Sequence, residues 1–377
     1  MTDAQSPHPW FAVGADRVRL LRDGVMALPA MLDAIRAAER EILLEMYWLG
    51  DDTVGRAFRD ALAERASRGV RVRVVYDAVG SYGLPLSFLN PLRAAGGHVE
   101  VFHPLGRLLP ALRLWEVDQR DHRKLLVVDE HLGFTGGINL TKHWAPLDEG
   151  GEAWRDDMIA VEGVAALELR ALFYRTWRHV RRDPLPKDLM PLRKGRRRAV
   201  TVLTTQRSRS RSIHAEYVSR INRATRSIDI CNAYFLPDRK VQNALFRAAT
   251  RGVDVRIVVP ARGDVPVVQL AQEALYERLL LAGIRVYVLP GPMMHAKTAI
   301  IDASFVTIGS YNLDERSRLR NLELNIAVED AGFGAHVKSF FEQDIAQAKP
   351  LDLGTWRQRA WLKQGIERAA LALRRFW

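Results

Sequence analysis

The segments His122-Arg123-Lys124-Leu125-Leu126-Val127-Val128-Asp129 and His295-Ala296-Lys297-Thr298-Ala299-Ile300-Ile301-Asp302 carry the residue types and spacing that could do chemistry. In each, a histidine is followed two residues on by a lysine and, after an apolar run, by an aspartate. Each is closed by a glycine-led tetrapeptide, Gly136-Gly137-Ile138-Asn139 and Gly309-Ser310-Tyr311-Asn312, and the interval from histidine to asparagine is the same in both. Residues i and i+2 of a strand point to one face, so His122 and Lys124, and His295 and Lys297, are expected to project together while the apolar run anchors the strand. A nucleophile and a cation then share a surface. Asp129 and Asp302 belong to the same catalytic motif but have the opposite parity, which suits them to tie the strand end or the adjacent turn. The Gly-Gly and Gly-Ser pairs permit close backbone approach to a ligand, and the Asn139 and Asn312 amides can donate to a phosphate oxygen.

Brought together, these residues make a phosphodiester site. Lys124, Lys297, Asn139 and Asn312 hold the non-bridging oxygens, one imidazole attacks phosphorus, and the other protonates the leaving oxygen. Such chemistry calls for neither metal nor cofactor. A lone histidine before an apolar strand is ordinarily a solvated strand-end residue; four polar residues recurring in one register argue against that here.

The elements that must position these groups also recur. Ile35-Arg36-Ala37-Ala38-Glu39-Arg40-Glu41-Ile42 has a counterpart in Ile221-Asn222-Arg223-Ala224-Thr225-Arg226-Ser227-Ile228, each the end of a helix entering a strand. Arg68-Gly69-Val70-Arg71-Val72 parallels Arg251-Gly252-Val253-Asp254-Val255, a helix stopped by glycine before an alternating strand. Ala95-Gly96-Gly97-His98-Val99 and Ala282-Gly283-Ile284-Arg285-Val286 repeat the pattern. Strands separated by helical stretches such as 53–67 and 240–250 imply βαβ units, hence an α/β protein of two similar halves with mixed sheets flanked by helices. The predicted division is 1–182 for the first half, a proline-containing basic linker over 183–199, 200–347 for the second half, and a basic amphipathic C-terminal helix over 348–377.

With 377 residues the chain exceeds the size at which one core stops growing, in keeping with two halves. Lys and Arg number 56 against 44 Asp and Glu, a net charge of +12 that favours polyanionic partners: nucleic acid, anionic lipid or phosphate esters. The basic residues are not interleaved with aromatics as a base-stacking surface would have them, so nucleic acid is not the expected partner. One cysteine, Cys231, excludes an intrachain disulfide and reads as a small buried hydrophobe. No signal peptide is apparent after Met1, and no apolar run reaches the roughly 18 residues of a spanning helix.

The paired motifs resemble those of the phospholipase D superfamily, whose signature is H-x-K-x(4)-D twice per active site with a following G-[GS]-x-N. Arg120-Asp121-His122-Arg123-Lys124, Gly136-Gly137-Ile138-Asn139-Leu140 and Trp154-Arg155-Asp156 are similar to the corresponding stretches of bacterial cardiolipin synthases, especially shorter forms without N-terminal membrane helices. The resemblance covers residues 10–345. It implies that the two halves share one active site at their interface. There it implies a phosphatidyl-histidine intermediate on His122, with His295 as general acid and then general base, and a carboxylate further along each half orienting its histidine: Asp156, with Asp157 as the alternative, and Glu323. It further implies phosphatidyl transfer from phosphatidylglycerol to a second phospholipid hydroxyl; because one chain supplies both motifs, a monomer is expected, held peripherally on the cytoplasmic side of the cell membrane. A phospholipase D-type hydrolase or a metal-independent nuclease would use the same paired histidines.

Two segments bear on lipid. The apolar and basic stretch 105–115, absent from the second half, could dip into a bilayer or simply pack between the halves. Over 355–377, Leu362, Ile366, Ala369, Ala370, Leu373 and Trp377 fall at helical spacing beside several arginines, which fits either a membrane surface or a helix docked on its own core.

Overall fold

A computed structural model of the chain describes residues 9–104, 118–189, 198–205 and 212–373. The stretch 105–115 and most of the basic run 193–198 therefore lie outside the described residues, as does Trp377.

The first half contributes β1 (Phe11–Val13), β2 (Asp16–Arg22), β3 (Glu41–Met46), β4 (Arg71–Asp77), β5 (His98–Phe102), β6 (Lys124–Val128), β7 (Leu132–Gly136) and β8 (Asp157–Gly163). The second contributes β9 (Val200–Thr204), β10 (Ser227–Asn232), β11 (Asp254–Pro260), β12 (Arg285–Leu289), β13 (Lys297–Ile301), β14 (Phe305–Gly309), β15 (Leu324–Glu329) and β16 (Lys349–Pro350). They form two eight-stranded sheets, ordered β1-β2-β8-β7-β6-β3-β4-β5 and β16-β12-β11-β10-β13-β14-β15-β9. In each, three parallel strands (β3-β4-β5; β10-β11-β12) adjoin an antiparallel run led by the motif strand, β6 or β13. The repeated landmarks of the sequence are these parallel strands and the helices between them, Thr53–Ser67 and Arg239–Thr250. Gly69 and Gly252 end those helices at φ +88° and +83°, a left-handed turn that a side chain would strain.

Alternation along the motif strands builds a three-layered interior. Leu125 and Val127 of β6 face a core shared by both halves, whereas Leu126 and Val128 face a separate core under the helices of the first half. Ile300 likewise enters the shared core, and Ala299 and Ile301 the core of the second half. Between the sheets lie Leu172 and Phe173 of helix Val164–Arg181 and Phe333 and Phe341 of helix Ala331–Gln347. Cys231 is buried in this shared core. Because each sheet presents an apolar face to the other, the halves meet through a continuous hydrophobic layer that fixes their relative position.

The C-terminal stretch departs from expectation. Instead of one helix over 348–377, β16 first adds an edge to the second sheet by pairing with β12, then come helix Leu353–Arg357 and a second helix, Trp361–Ala372. Asp352 accepts from the Thr355 N–H at 2.8 Å and so starts the first of these two helices anew.

Candidate active site

Both motif histidines reach one cavity through bridges between the halves. His122 lies just before β6, and its N–H donates to the Leu322 carbonyl at 3.0 Å, while the Leu322 N–H donates to the Arg120 carbonyl at 2.8 Å. The other half mirrors this: the His295 N–H donates to the Arg155 carbonyl at 2.7 Å and the Arg155 N–H to the Met293 carbonyl at 2.9 Å. The segment carrying each histidine is thus paired with the segment carrying the other half's carboxylate. The consequence is an exchange of partners. His122 Nδ1 lies 3.0 Å from Glu323 Oε2, and His295 Nδ1 lies 2.9 Å from Asp156 Oδ2. The expectation that a carboxylate orients the histidine of its own half is corrected: each acts across the interface. Asp157, the alternative to Asp156, instead accepts from Thr298 Oγ1 at 2.6 Å and ion-pairs with Arg155.

Both carboxylates are held in place by further donors. Ser317 Oγ donates to Glu323 Oε1 at 2.7 Å and Ser310 Oγ to Oε2 at 2.5 Å. Trp144 Nε1 donates to Asp156 Oδ2 at 2.9 Å, and the Asp157 N–H to Oδ1 at 2.8 Å. The glycine pairs make room for these contacts and not, as expected, for a ligand. A Cβ on Gly137 would stand 2.2 Å from Asp156 Oδ1, and one on Gly309 2.2 Å from the Leu324 carbonyl.

The lysines project beside their histidines but are fully buried behind the cavity wall. Lys124 Nζ donates to the His122 carbonyl at 2.6 Å, and Lys297 Nζ makes the equivalent bond to the His295 carbonyl. Lys124 Nζ lies 4.7 Å from the centre of the Tyr47 ring, Lys297 Nζ 5.9 Å from that of Tyr234. Burial is the main influence on their charge; for Lys124 the Lys297 ammonium adds to it against the pull of Glu323, and for Lys297 burial outweighs Asp156 and Asp264. Together these bring Lys124 down to about 7 and Lys297 to about 8. Burial also lowers both imidazoles, His295 further than His122, whose fall is opposed by Glu323. Glu323 itself stays below the usual carboxylate range because His122 and Lys124 outweigh its burial, whereas burial raises Asp156.

Asp129 and Asp302 stand apart from this chemistry. Asp129 accepts from the backbone N–H groups of Glu39, Arg40 and Glu41 at 2.7–2.8 Å, and Asp302 from those of Thr225, Arg226 and Ser227 at 2.7–3.0 Å. These donors outweigh burial and hold both carboxyls below their ordinary range. Both aspartates tie strand-end turns, as their parity suggested, so their grouping with the catalytic residues is corrected.

The cavity has a volume of about 340 Å³ and is lined by both histidines together with Asn139 and Asn312. Asn139 Oδ1 accepts from the Trp48 N–H at 3.0 Å, which fixes the amide; Asn312 Oδ1 is buried with no partner among the described residues. Most of the apolar wall was not foreseen: Tyr47, Trp48, Trp144, Trp154 and Tyr234 line it. Tyr47 packs edge-on to His122 at 4.7 Å between ring centres and Trp144 edge-on to His295 at 5.4 Å. The repeat held a usable signal, since aromatic residues follow the first parallel strand of each half, Tyr47-Trp48 after β3 and Tyr234 after β10.

Comparison with known proteins agrees with this geometry. The family model described as "Cardiolipin synthase, PLD-like domain" matches residues 31–168 and 217–345, one segment per half. The chain belongs to the phospholipase D-like cardiolipin synthase family. It is 31% identical over 358 residues to a cardiolipin synthase of Geobacillus thermodenitrificans, covering 94% of this chain and 71% of that protein. It is 34% identical over 355 residues to the major cardiolipin synthase ClsA of Bacillus subtilis, covering 92% and 72%. In fold it is similar to phosphatidylserine synthase from Haemophilus influenzae, with a TM-score of 0.73 at 13% identity over 98% of this chain and 95% of that one. Membership makes it a phospholipase D superfamily enzyme. Among the described residues no helix is long and apolar enough to cross a membrane.

Proposed function

We propose that the protein is a cardiolipin synthase that moves a phosphatidyl group from phosphatidylglycerol to the hydroxyl of a second phospholipid, releasing glycerol, through a phosphatidyl-histidine on His122. The observation that carries this reading is the pair of histidines on one cavity wall, each with Nδ1 held by a carboxylate. A carboxylate that accepts the Nδ1 proton leaves Nε2 with its lone pair, the state a nucleophile or base requires. In the first half-reaction His122 Nε2 bonds to phosphorus, the bond from phosphorus to the glycerol oxygen breaks, and His295, as imidazolium, gives that oxygen its proton. In the second, His295 takes the proton of the incoming lipid hydroxyl, whose oxygen bonds to phosphorus as the bond to His122 breaks. Asn139 and Asn312 donate to the non-bridging oxygens. Lys124 and Lys297 contribute positive potential from just behind the wall, strengthened by burial. The aromatic wall excludes water and so favours a lipid hydroxyl over hydrolysis. A protein of this kind works at the membrane surface, peripherally and on the cytoplasmic side.

The test is incubation of the purified protein, with chelator, with phosphatidylglycerol vesicles and separately with single-stranded DNA, followed by mass spectrometry. Cardiolipin and glycerol, absent with His122→Ala, are expected; phosphatidic acid alone would make it a hydrolase, and DNA cleavage with inert lipid a nuclease.

Two further outcomes follow from the same reading. Asn139→Ala and Asn312→Ala each remove one phosphate donor and lower kcat/KM by roughly 10²-fold, well short of a histidine variant. The lysines give a pH dependence whose sign is fixed. They are charged below their depressed values of about 7 and about 8 and neutral above, so attraction for the phosphodiester anion weakens as pH rises through that window. Steady-state kinetics are expected to show kcat/KM declining on the alkaline side there; a value constant from pH 7 to 9.5 would remove the lysines from substrate binding.

A further inference from the structure

Helix Trp361–Ala372 is docked the wrong way round for a helix that only serves the core. Its inward face carries Glu367, 2% exposed, and Ala370. Glu367 pairs with Arg359 at 3.1 Å (Nη2 to Oε2), and Lys363 reaches Glu273 of helix Pro266–Leu281 at 2.9 Å. The apolar residues face outward: Trp361 is 81% exposed, Leu362 59%, Ile366 50% and Leu373 47%. At about 100° per residue, Leu362, Ile366, Ala369 and Leu373 fall within an arc of about 60°, and Trp361 and the exposed Arg368 lie on one flank of the helix, about 80° and about 100° beyond that arc. Leaving this stripe in water while burying an ion pair costs free energy with no return inside the fold.

The helix that carries the stripe docks on the wall of the catalytic cavity. Ala370 and the partly buried Leu371 pack in one small cluster with Leu236, Ala271 and Leu275, joined by Val267 and Val268. Leu236 and Val268 also line the cavity, as does Val265, itself 38% exposed. The helix therefore rests on the outer side of the cavity's own wall.

We propose that this helix face is the surface by which the protein seats on an anionic phospholipid bilayer, with its cavity, whose rim carries the exposed Val265, near the lipid interface. The proposal rests on the lipid-transfer reading and adds to it where the bilayer lies. An interfacial helix has this character: an exposed apolar stripe with a tryptophan and an arginine on its flank, where a cation meets anionic headgroups. A net charge of +12 gives the protein the matching sign. A second copy of the chain fits less well, because four partly exposed side chains offer a few hundred Å², short of the ~800 Å² per partner of a stable interface.

The experiment compares the full chain with the double variant Leu362→Asp, Ile366→Asp, both substitutions lying on the exposed face and outside the cavity. Three quantities are measured: co-sedimentation with vesicles of phosphatidylglycerol and phosphatidylcholine, transfer on those vesicles, and transfer on short-chain phosphatidylglycerol dispersed as monomers. Vesicle affinity and vesicle turnover are expected to fall about tenfold or more, with turnover on monomers unchanged. Undiminished vesicle affinity overturns the proposal. So does loss of self-association in analytical ultracentrifugation, which assigns the face to a second copy. If the full chain turns over neither form of phosphatidylglycerol, the proposed reaction fails, while vesicle affinity still decides the surface. Should the double variant not fold, Trp361→Ala with Leu373→Ala replaces it under the same readouts.

Discussion

In His122→Ala, turnover falls by about 10⁵-fold or more and no covalent lipid adduct forms, because the atom that bonds to phosphorus is gone. In His295→Ala the overall loss is equally large, but the enzyme stops at a different place. With a phosphodiester whose leaving group departs without a proton, such as a p-nitrophenyl ester, His122 still attacks, one equivalent of p-nitrophenolate is released, and the reaction stalls for want of a base to activate the acceptor. Intact-protein mass spectrometry is expected to show the phosphoryl adduct on His295→Ala and none on His122→Ala. Appreciable turnover by either variant would sink the shared-site mechanism.

The crossed carboxylates yield the second large effect. Glu323→Gln places an amide beside His122 Nδ1, within the same 3.0–3.1 Å contacts. The amide N–H donates to Nδ1 and drives the ring proton to Nε2, which removes the lone pair needed for attack. Asp156→Asn does the same to His295, even though it lies in the half that supplies His122. Each substitution should cost about 10⁴-fold in turnover, the scale of a wrong tautomer in a hydrogen-bonded triad. They differ in which half-reaction fails: Glu323→Gln suppresses adduct formation from the p-nitrophenyl substrate, and Asp156→Asn permits it but blocks transfer to the acceptor. Were each carboxylate to serve its own half, the two phenotypes would be exchanged, so one pair of burst measurements decides the matter. Loss of fold is a separate outcome, read by thermal unfolding, and rescue by Glu323→Asp would argue for charge and placement over packing.

The elements that repeat in sequence repeat in space for a simple reason. A parallel strand followed by a glycine-stopped helix is a local pattern of side-chain period and backbone freedom, and Gly69 and Gly252 mark it without help from the rest of the chain. The paired histidines, lysines and asparagines were likewise legible, because the same residue types recur at the same register in both copies. Asp129 and Asp302 show the limit of a motif: parity correctly sent them to the turns, whereas motif membership alone grouped them with the catalytic residues.

What the amino-acid order determined by itself was therefore the α/β architecture of two related halves, the paired histidines and asparagines that come to line one cavity, and the presence of an amphipathic C-terminal stretch. Tertiary structure alone decided which carboxylate meets which histidine, since those pairs lie 201 and 139 residues apart and depend on backbone bridges between the halves. It decided that the lysines stand behind the wall, because each histidine leaves the strand to bridge across while its lysine stays in it. The aromatic lining was also beyond local pattern, being assembled from loops that converge only once the shared core has closed. The outward face of helix Trp361–Ala372 has the same origin. Periodicity reveals a stripe on a helix, but the side that docks is chosen by partners outside it, here Arg359, which pairs with the buried Glu367, and the packing of Ala370 and Leu371 on Leu236 and Leu275, which leave Leu362, Ile366 and Leu373 to solvent.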